Sequence, residues 1–237
     1  MRLKPMTAYM VERGLLAGGL VAGQLLLSSG AWAGPEGGVV VRGSGTITRV
    51  NQYQTHIGQE SQNLLMNFDS FDLSVDESVN ITQPDASSWF VGNVLSSAPT
   101  EIFGSITANG KVALVNPRGV IFGKTARVDA ASLFASGLAV DVNELFEGGE
   151  VNFESLEGEG GFVLNQGVIQ ASIGGSVTLL GETVSNEGVI VATLGQVNLA
   201  SGIRAVVNFG PEQPIGFEVT EEVLENNEGL NAAVSNT

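Results

Sequence analysis

Asn165-Gln166-Gly167-Val168-Ile169-Gln170-Ala171 returns 21 residues later as Asn186-Glu187-Gly188-Val189-Ile190-Val191-Ala192. The same Asn, gap, Gly and apolar pattern occurs at Asn116-Gly119-Val120 and, more weakly, at Asn227-Gly229-Leu230. A second pattern, Gly-x-Val-x-(Leu or Phe), is found at Gly110-Val112-Leu114, Gly149-Val151-Phe153, Gly175-Val177-Leu179 and Gly195-Val197-Leu199, the last two 20 residues apart. Recurrence at a fixed short period marks a stacked repeat. Within each unit the apolar residues alternate, which places them on one face of a strand. Gly and Asn punctuate the strands because they tolerate the left-handed backbone of sharp corners.

A unit of about 20 residues cannot bury its apolar face alone. Stacked at the ~4.8 Å strand spacing, successive units form parallel sheets around a continuous core. The expected fold is therefore all-β, a parallel β-helix, right-handed by analogy with the crossover rule. Asparagines recurring at one corner are expected to stack into a ladder of side-chain amides.

Residues 34–109 follow this style less regularly. Thr46-Ile47-Thr48 and Thr55-His56-Ile57 read as short strands. Phe68, Phe71, Leu73 and Val75, then Val79 and Ile81, alternate around a turn at Asp76-Glu77, and Ser96–Thr100 reads as a loop. An open end of a β-helix exposes unpaired backbone, so this segment is assigned the N-terminal β cap and first coils. Residues 110–237 are assigned the regular coils. Pro211–Leu230 is an acidic excursion expected to hold a short helix around Glu221–Leu224. The last residues, Val234-Ser235-Asn236-Thr237, copy Val184-Ser185-Asn186-Glu187, so the sequence ends mid-repeat. A fragment of a longer chain would end so; a frayed last rung is the other reading.

Residues 1–33 read as a cleaved signal peptide. Arg2, Lys4 and Arg13 precede an apolar stretch from Leu15 to Leu27, and Ala31-Trp32-Ala33 supplies the small-x-small cleavage pattern at Ala31 and Ala33. The stretch is short of the roughly 20 residues a membrane span needs. Export then runs through the Sec translocon and signal peptidase to the periplasm and beyond. Removing three basic residues and one acid takes the net charge from −15 to −17, which argues against nucleic acid as a partner. The chain has no cysteine. Its stability must come from core and ladders, and without cross-links it can be threaded unfolded through a pore.

No catalytic arrangement is legible. His56 is the single histidine, so a Ser-His-Asp triad would have to run through it, and a strand-surface role is the plainer reading. The seven acids between Asp141 and Glu159 fall in a Gly-rich stretch read as solvated loop. The calcium-binding Gly-Gly-x-Gly-x-Asp repeat is missing, and the glycine clusters at 158–161 and 174–175 lack the setting of a phosphate loop. No cofactor or metal site is expected.

The sharpest local motif is Asn116-Pro117-Arg118-Gly119-Val120, a type I turn by composition. It closes an ordered series: Ile57-x-Gln59-x-Ser61, Phe68-x-Ser70-Phe71, Gln83-Pro84-Asp85-Ala86-Ser87, Ile102-Phe103-Gly104-Ser105-Ile106 and Ala108-Asn109-Gly110. Over about residues 40–210 this series resembles the N-terminal secretion domain of filamentous-haemagglutinin-type exoproteins, the exported members of Gram-negative two-partner secretion systems. The resemblance implies a right-handed parallel β-helix with an N-terminal cap. It also implies recognition by an outer-membrane β-barrel transporter bearing POTRA modules, and delivery to the cell surface. The full-length chain is then expected to be an adhesin with a host or cell-surface ligand. The family's Asn-Pro-Asn-Gly turn falls on Asn116, Pro117 and Gly119, with Arg118 at its second Asn. Its Asn-Arg-Val segment appears as Gly92-Asn93-Val94, without the arginine. These departures bear on the choice of transporter. The alternative is a β-helical carbohydrate-binding or carbohydrate-active surface protein. A tight carboxylate pair on a flat sheet face would favour that alternative, and an unbroken aliphatic core with turn-like corners would favour secretion.

Overall fold

The computed structural model describes residues 34–141, 144–145, 150–158, 160–209, 216–221 and 234–237. The signal segment and the copy at Asn227-Gly229-Leu230 lie outside them. Strand β1 (Val39–Arg42) comes first, then the hairpin β2 (Gly45–Asn51) and β3 (Gln54–Gln59), where Thr46–Thr48 and Thr55–Ile57 were expected as strands. From β3 onward the chain coils. β4 (Asn63–Phe68) is followed by Leu73, which bridges to the next turn. That turn is β5 (Ser78–Thr82), β6 (Trp89–Val94) and β7 (Thr100–Ile102), and above it come β8 (Ser105–Ala108), β9 (Lys111–Val115) and β10 (Val120–Phe122).

Two turns then carry insertions. β11 (Arg127–Ala130) and β12 (Ser132–Ser136) are separated from β15 (Phe162–Asn165) by β13 (Ala139–Val140) and β14 (Glu150–Glu154). A plain turn follows: β16 (Val168–Ala171), β17 (Ser176–Gly181) and β18 (Thr183–Asn186). The last runs through β19 (Val189–Ala192) and β20 (Gln196–Ser201), leaves as β21 (Arg204–Asn208) and β22 (Gly216–Glu221), and returns as β23 (Val234–Asn236).

Every turn visits three sheets in one order. Face 1 is β2-β3-β5-β8-β11-β16-β19, face 2 is β1-β4-β6-β9-β12-β17-β20, and face 3 is β7-β10-β15-β18-β23. All neighbours pair in parallel except β1 with β4 and β2 with β3, which are antiparallel. This is the expected all-β architecture of parallel sheets, and the described residues include no helix. β23 lies on β18 with Val234, Ser235 and Asn236 opposite Val184, Ser185 and Asn186, the pairing implied by the copied sequence.

The three faces enclose one aliphatic and aromatic core. It runs from Ile57, Leu64 and Phe68 through Ile106, Leu114 and Phe122 to Ile169, Leu179 and Val184, all buried. Phe68 meets Phe71 edge-on at 5.0 Å and Phe90 at 6.3 Å. The alternation around residues 68–81 holds, except that Val75 sits in the turn and is 61% exposed.

A second core lies outside the coil. Strands β13, β14, β21 and β22 form a four-stranded antiparallel sheet whose apolar side covers the outer side of face 2. Leu65, Trp89, Val91 and Phe134 from the coil pack there with Val151, Phe153 and Val207. Three expectations change as a result. Gly149-Val151-Phe153 is no coil: Val151 and Phe153 belong to β14 and pair with Val207 and Ala205. The Asp141–Glu159 stretch is not all loop, because β14 runs through it. Glu221 ends a strand rather than starting a helix, and residues 222–224 lie outside the described residues. The middle strands of face 2 are buried on both sides, so β12 reads Ser-Leu-Phe-Ala-Ser with every residue buried and carries no period-two signal.

Phe134 joins the two layers, with ring centroids 5.3 Å from Phe153 and 5.2 Å from Phe209. Replacing it with alanine should cost about 3–5 kcal/mol. In hydrogen exchange, amides of β14 and β21 should lose protection before those of β16 and β17. Uniform loss across both layers would show that the added sheet and the coil unfold as one unit.

Candidate functional site

The corner between β9 and β10 holds the sharpest motif. Gly119 N–H donates to the Asn116 carbonyl at 2.9 Å and closes the expected four-residue turn, with Pro117 at its second position. Asn116 is fully buried. Its Oδ1 accepts from Arg118 N–H at 2.9 Å, and its Nδ2 donates to the Ala98 carbonyl and Thr100 Oγ1, each at 3.0 Å. Its own backbone N–H reaches the Ser136 carbonyl on the following turn at 3.0 Å. One side chain therefore closes the corner and ties it to the preceding turn, while the backbone ties it to the following one.

Gly119 is required at its place. Its φ of +121° lies in the left-handed half of the map, and a Cβ there would come within 2.7 Å of the Phe162 ring. Val120 is buried, and Pro117 and Arg118 are half-buried. The five residues thus form one structural unit, of which Pro117 and Arg118 alone present surface. This corner differs from that of Asn165 and Asn186, although the sequence pattern grouped them. Asn116 follows face 2, whereas Asn165 and Asn186 end strands of face 3. There the ladder forms: Asn165 Nδ2 donates to Asn186 Oδ1, and Asn186 Nδ2 to Asn236 Oδ1, both at 2.7 Å. In the two turns before Asn165 the same rung position holds Ile102 and Phe122.

The upstream motifs build the corner between faces 1 and 2. Gln83 is buried; its Nε2 donates to the Ser88 carbonyl at 2.9 Å and the Lys111 carbonyl at 3.1 Å, and its Oε1 accepts from Gly110 N–H at 2.9 Å. Asn109 answers with Oδ1 on Gln83 N–H at 2.7 Å and Nδ2 on the Gln83 carbonyl at 2.8 Å. A Cβ on Gly110 would meet the Gln83 amide at 2.6 Å. One turn below, Gln59 Nε2 lies within 2.8–3.1 Å of the Ser61, Gln62 and Trp89 carbonyls. Between them Asp85 Oδ1 gathers the N–H and hydroxyl groups of Ser87 and Ser88, and Gln62 Nε2. Hydrogen bonds from Ser87, Gln62 and Ser88 lower the carboxyl from its ordinary 3.8 to about 2.

The remaining candidates are scattered. His56 is half-exposed on β3, its Nε2 3.0 Å from Thr82 Oγ1. Ala31 and Ala33 lie outside the described residues. Among the described residues no three His, Cys, Asp or Glu gather to hold a metal ion, and no helix is long and apolar enough to cross a membrane.

Comparison with known families decides what this assembly of corners belongs to. The profile of the TPS secretion domain matches residues 32–233. The chain belongs to the TPS secretion domain family. This TPS domain is thus a secretion domain of two-partner exoproteins, a family that is exported and works with a cognate outer-membrane transporter. It is 36% identical over 177 residues, 71% of its length, to a heme/hemopexin-binding protein of Haemophilus influenzae strain Rd. A second heme/hemopexin-binding protein of that species is 32% identical over 102 residues, 43% of the chain. The chain spans 19% and 11% of the length of these relatives. The crystal structure of the HMW1 secretion domain from Haemophilus influenzae superposes with a TM-score of 0.71 at 27% identity, covering 80% of this chain and 50% of that one.

Two outcomes follow for the corners of this TPS domain. Asn116→Ala strips the Thr100 hydroxyl, the Ala98 carbonyl and the Arg118 N–H of a buried partner, and Gly119→Ala forces a side chain into the left-handed region. Each should lower stability by about 1–3 kcal/mol in urea titration, whereas Arg118→Asn should change it little. Asp85 is an acid-sensitive latch. Its folded value is the lower one, so its contribution is complete above about pH 4 and fades as pH falls towards 2. Parent and Asp85→Asn should differ in melting temperature at pH 6 and converge near pH 2.

Proposed function

We propose that this chain leads a two-partner exoprotein to the cell surface. The Sec translocon delivers it, and signal peptidase cuts after Ala33, reading Ala31 and Ala33. A POTRA-bearing outer-membrane β-barrel then receives the unfolded chain from the periplasm. The coil is a right-handed β-helix, residues 34–109 serve as its cap and first turns, and 110–237 as its regular coils. The exoprotein as a whole is an adhesin for a host or cell-surface ligand.

One observation carries the mechanism: the Asn116–Val120 unit is mostly buried once the coil has formed. A transporter that reads this segment must therefore read it before folding, with Asn116, Pro117, Arg118, Gly119 and Val120 extended. Outside the cell the same residues close the corner. Recognition and folding then use the same residues in sequence, and each finished turn blocks backward sliding. The lack of cysteine fits a chain that travels unfolded.

The experiment co-expresses the chain with its transporter and follows it in periplasm and medium by immunoblot. Asn116→Ala should be made normally, remain in the periplasm and fail to reach the medium. Phe134→Ala separates address from stability, because it weakens the fold while leaving the Asn116–Val120 sequence unchanged. In a pull-down with the transporter's periplasmic modules, urea-unfolded Phe134→Ala should still bind and unfolded Asn116→Ala should not. Normal secretion of Asn116→Ala, or equal capture of the two variants, would overturn the reading.

A further inference from the structure

Face 1 differs from face 2 in what lies over it. The added sheet covers the outer side of face 2, while the outer side of face 1 is open, polar over β5, β8 and β11 and apolar at β19, where Val189 and Val191 face out. Because the strands pair in register, their outward residues line up across the sheet. Thr48, His56, Asn80, Thr107, Asp129 and Gln170 form one row. Gln54, Ser78, Ser105 and Arg127 form a second beside it. Both rows run along the coil axis with strands ~4.8 Å apart, one polar group per strand as far as β11, after which the second row passes to Val168 and Val189 and the first from Gln170 to Val191.

Across β5, β8 and β11 the face dips into a shallow, open concavity of about 380 Å³ lined by Asn80, Thr82, Thr107, Asn109 and Asp129 together with Ile81 and Ala108. That is near the lower end of the roughly 300–1,000 Å³ of small-molecule sites. Part of its lining is braced. Asn80 Nδ2 donates to Thr107 Oγ1 at 3.0 Å, Thr82 Oγ1 donates to Asn80 Oδ1 at 3.4 Å, and His56 Nε2 lies 3.0 Å from Thr82 Oγ1. Asp129 is different. Among the described residues its carboxylate has no hydrogen-bond or ion-pair partner, and the same holds for the side chains of Arg127 and Gln170. Exposed acceptors and donors stand in line beside groups already held in position.

Charge narrows the ligand. The chain carries −15 overall, which repels polyanions. From β5 to β16 the two rows hold one formal cation, Arg127, and one anion, Asp129, so the strip itself is neutral. A neutral ligand rich in hydroxyl groups suits it. A carboxylate accepts from two adjacent hydroxyls, and side-chain amides and hydroxyls donate and accept at once, as sugar hydroxyls require. A strip with one polar group per strand suits a polymer of similar repeat laid along the coil.

We propose that the outer side of face 1, centred on the Asp129 concavity, binds an extended neutral glycan chain. Neither row holds a Phe, Tyr or Trp for a sugar to stack on, so affinity comes from hydrogen bonds added sugar by sugar. Short oligosaccharides bind weakly and long ones gain by multivalency.

The test is NMR titration of the purified chain with cellobiose, cellohexaose and chitohexaose, and with a heparin hexasaccharide as the acidic comparison. Saturable binding of a neutral hexasaccharide is expected, with Kd on the order of 1 mM, amide shifts confined to β5, β8, β11 and β16, and clearly weaker binding of cellobiose. Asp129→Ala alters an exposed side chain with no partner among the described residues and should leave the melting temperature unchanged while weakening binding about tenfold. Gln170→Ala should weaken the hexasaccharides more than cellobiose. The proposal is overturned if neutral hexasaccharides give no saturable shifts up to about 10 mM, if the shifts fall elsewhere, or if Asp129→Ala binds as the parent does. Binding of heparin alone, abolished by salt, would also overturn it.

Discussion

A chain that coils strand upon strand satisfies its backbone along each face and abandons it at every corner. The N–H and C=O groups stranded there are buried between turns and need partners. Here the partners are side-chain amides. Gln59, Gln83 and Asn109 serve the corner between faces 1 and 2, Asn116 the corner between faces 2 and 3, and Asn165 and Asn186 the corner back to face 1. Each reaches from one turn to a neighbour, so it fixes the stacking as well as the bend. The in-register sheets and the continuous core depend on these contacts, because a corner one residue longer would turn each apolar row outward.

This arrangement makes the corners depend on neighbouring turns. Amide-bridged corners form only when two turns are present, so the coil grows by adding turns to those already made. A chain held extended has none of these bonds, and its Asn and Gln side chains are then free to meet another protein. In the folded coil the amide-bearing motifs turn inward, with Gln59, Gln83, Asn116, Asn165 and Asn186 all buried.

How far the fold was legible varies with the element. The 20- and 21-residue spacings between β15 and β18 and between β17 and β20 were visible because those turns carry no insertion. The turn of β11 and β12 was hidden: Ala131 stands where Gly110 and Gly175 stand, and the run Leu133-Phe134-Ala135 is apolar throughout. It lost its alternation because the added sheet buries its outer side. Val151 and Phe153 misled for the complementary reason. They alternate as a coil strand would, but they face the coil from outside it. The turn at Asn116 was readable from Asn, Pro and Gly alone; its burial was not, since that depends on Ala98, Thr100 and Ser136 from neighbouring turns.

The sequence by itself determined the class of the fold, its period and the residues of its corners. Alternation, Gly and Asn placement and repeat spacing are local properties that sterics and hydrogen bonding impose on a single strand and turn. Only the tertiary structure decided which asparagines form a ladder, which strands are buried twice, and which polar residues line up on the open face. Those outcomes depend on the register between turns, and register is set by contacts between residues 20 to 50 positions apart, whose pairing no local pattern records.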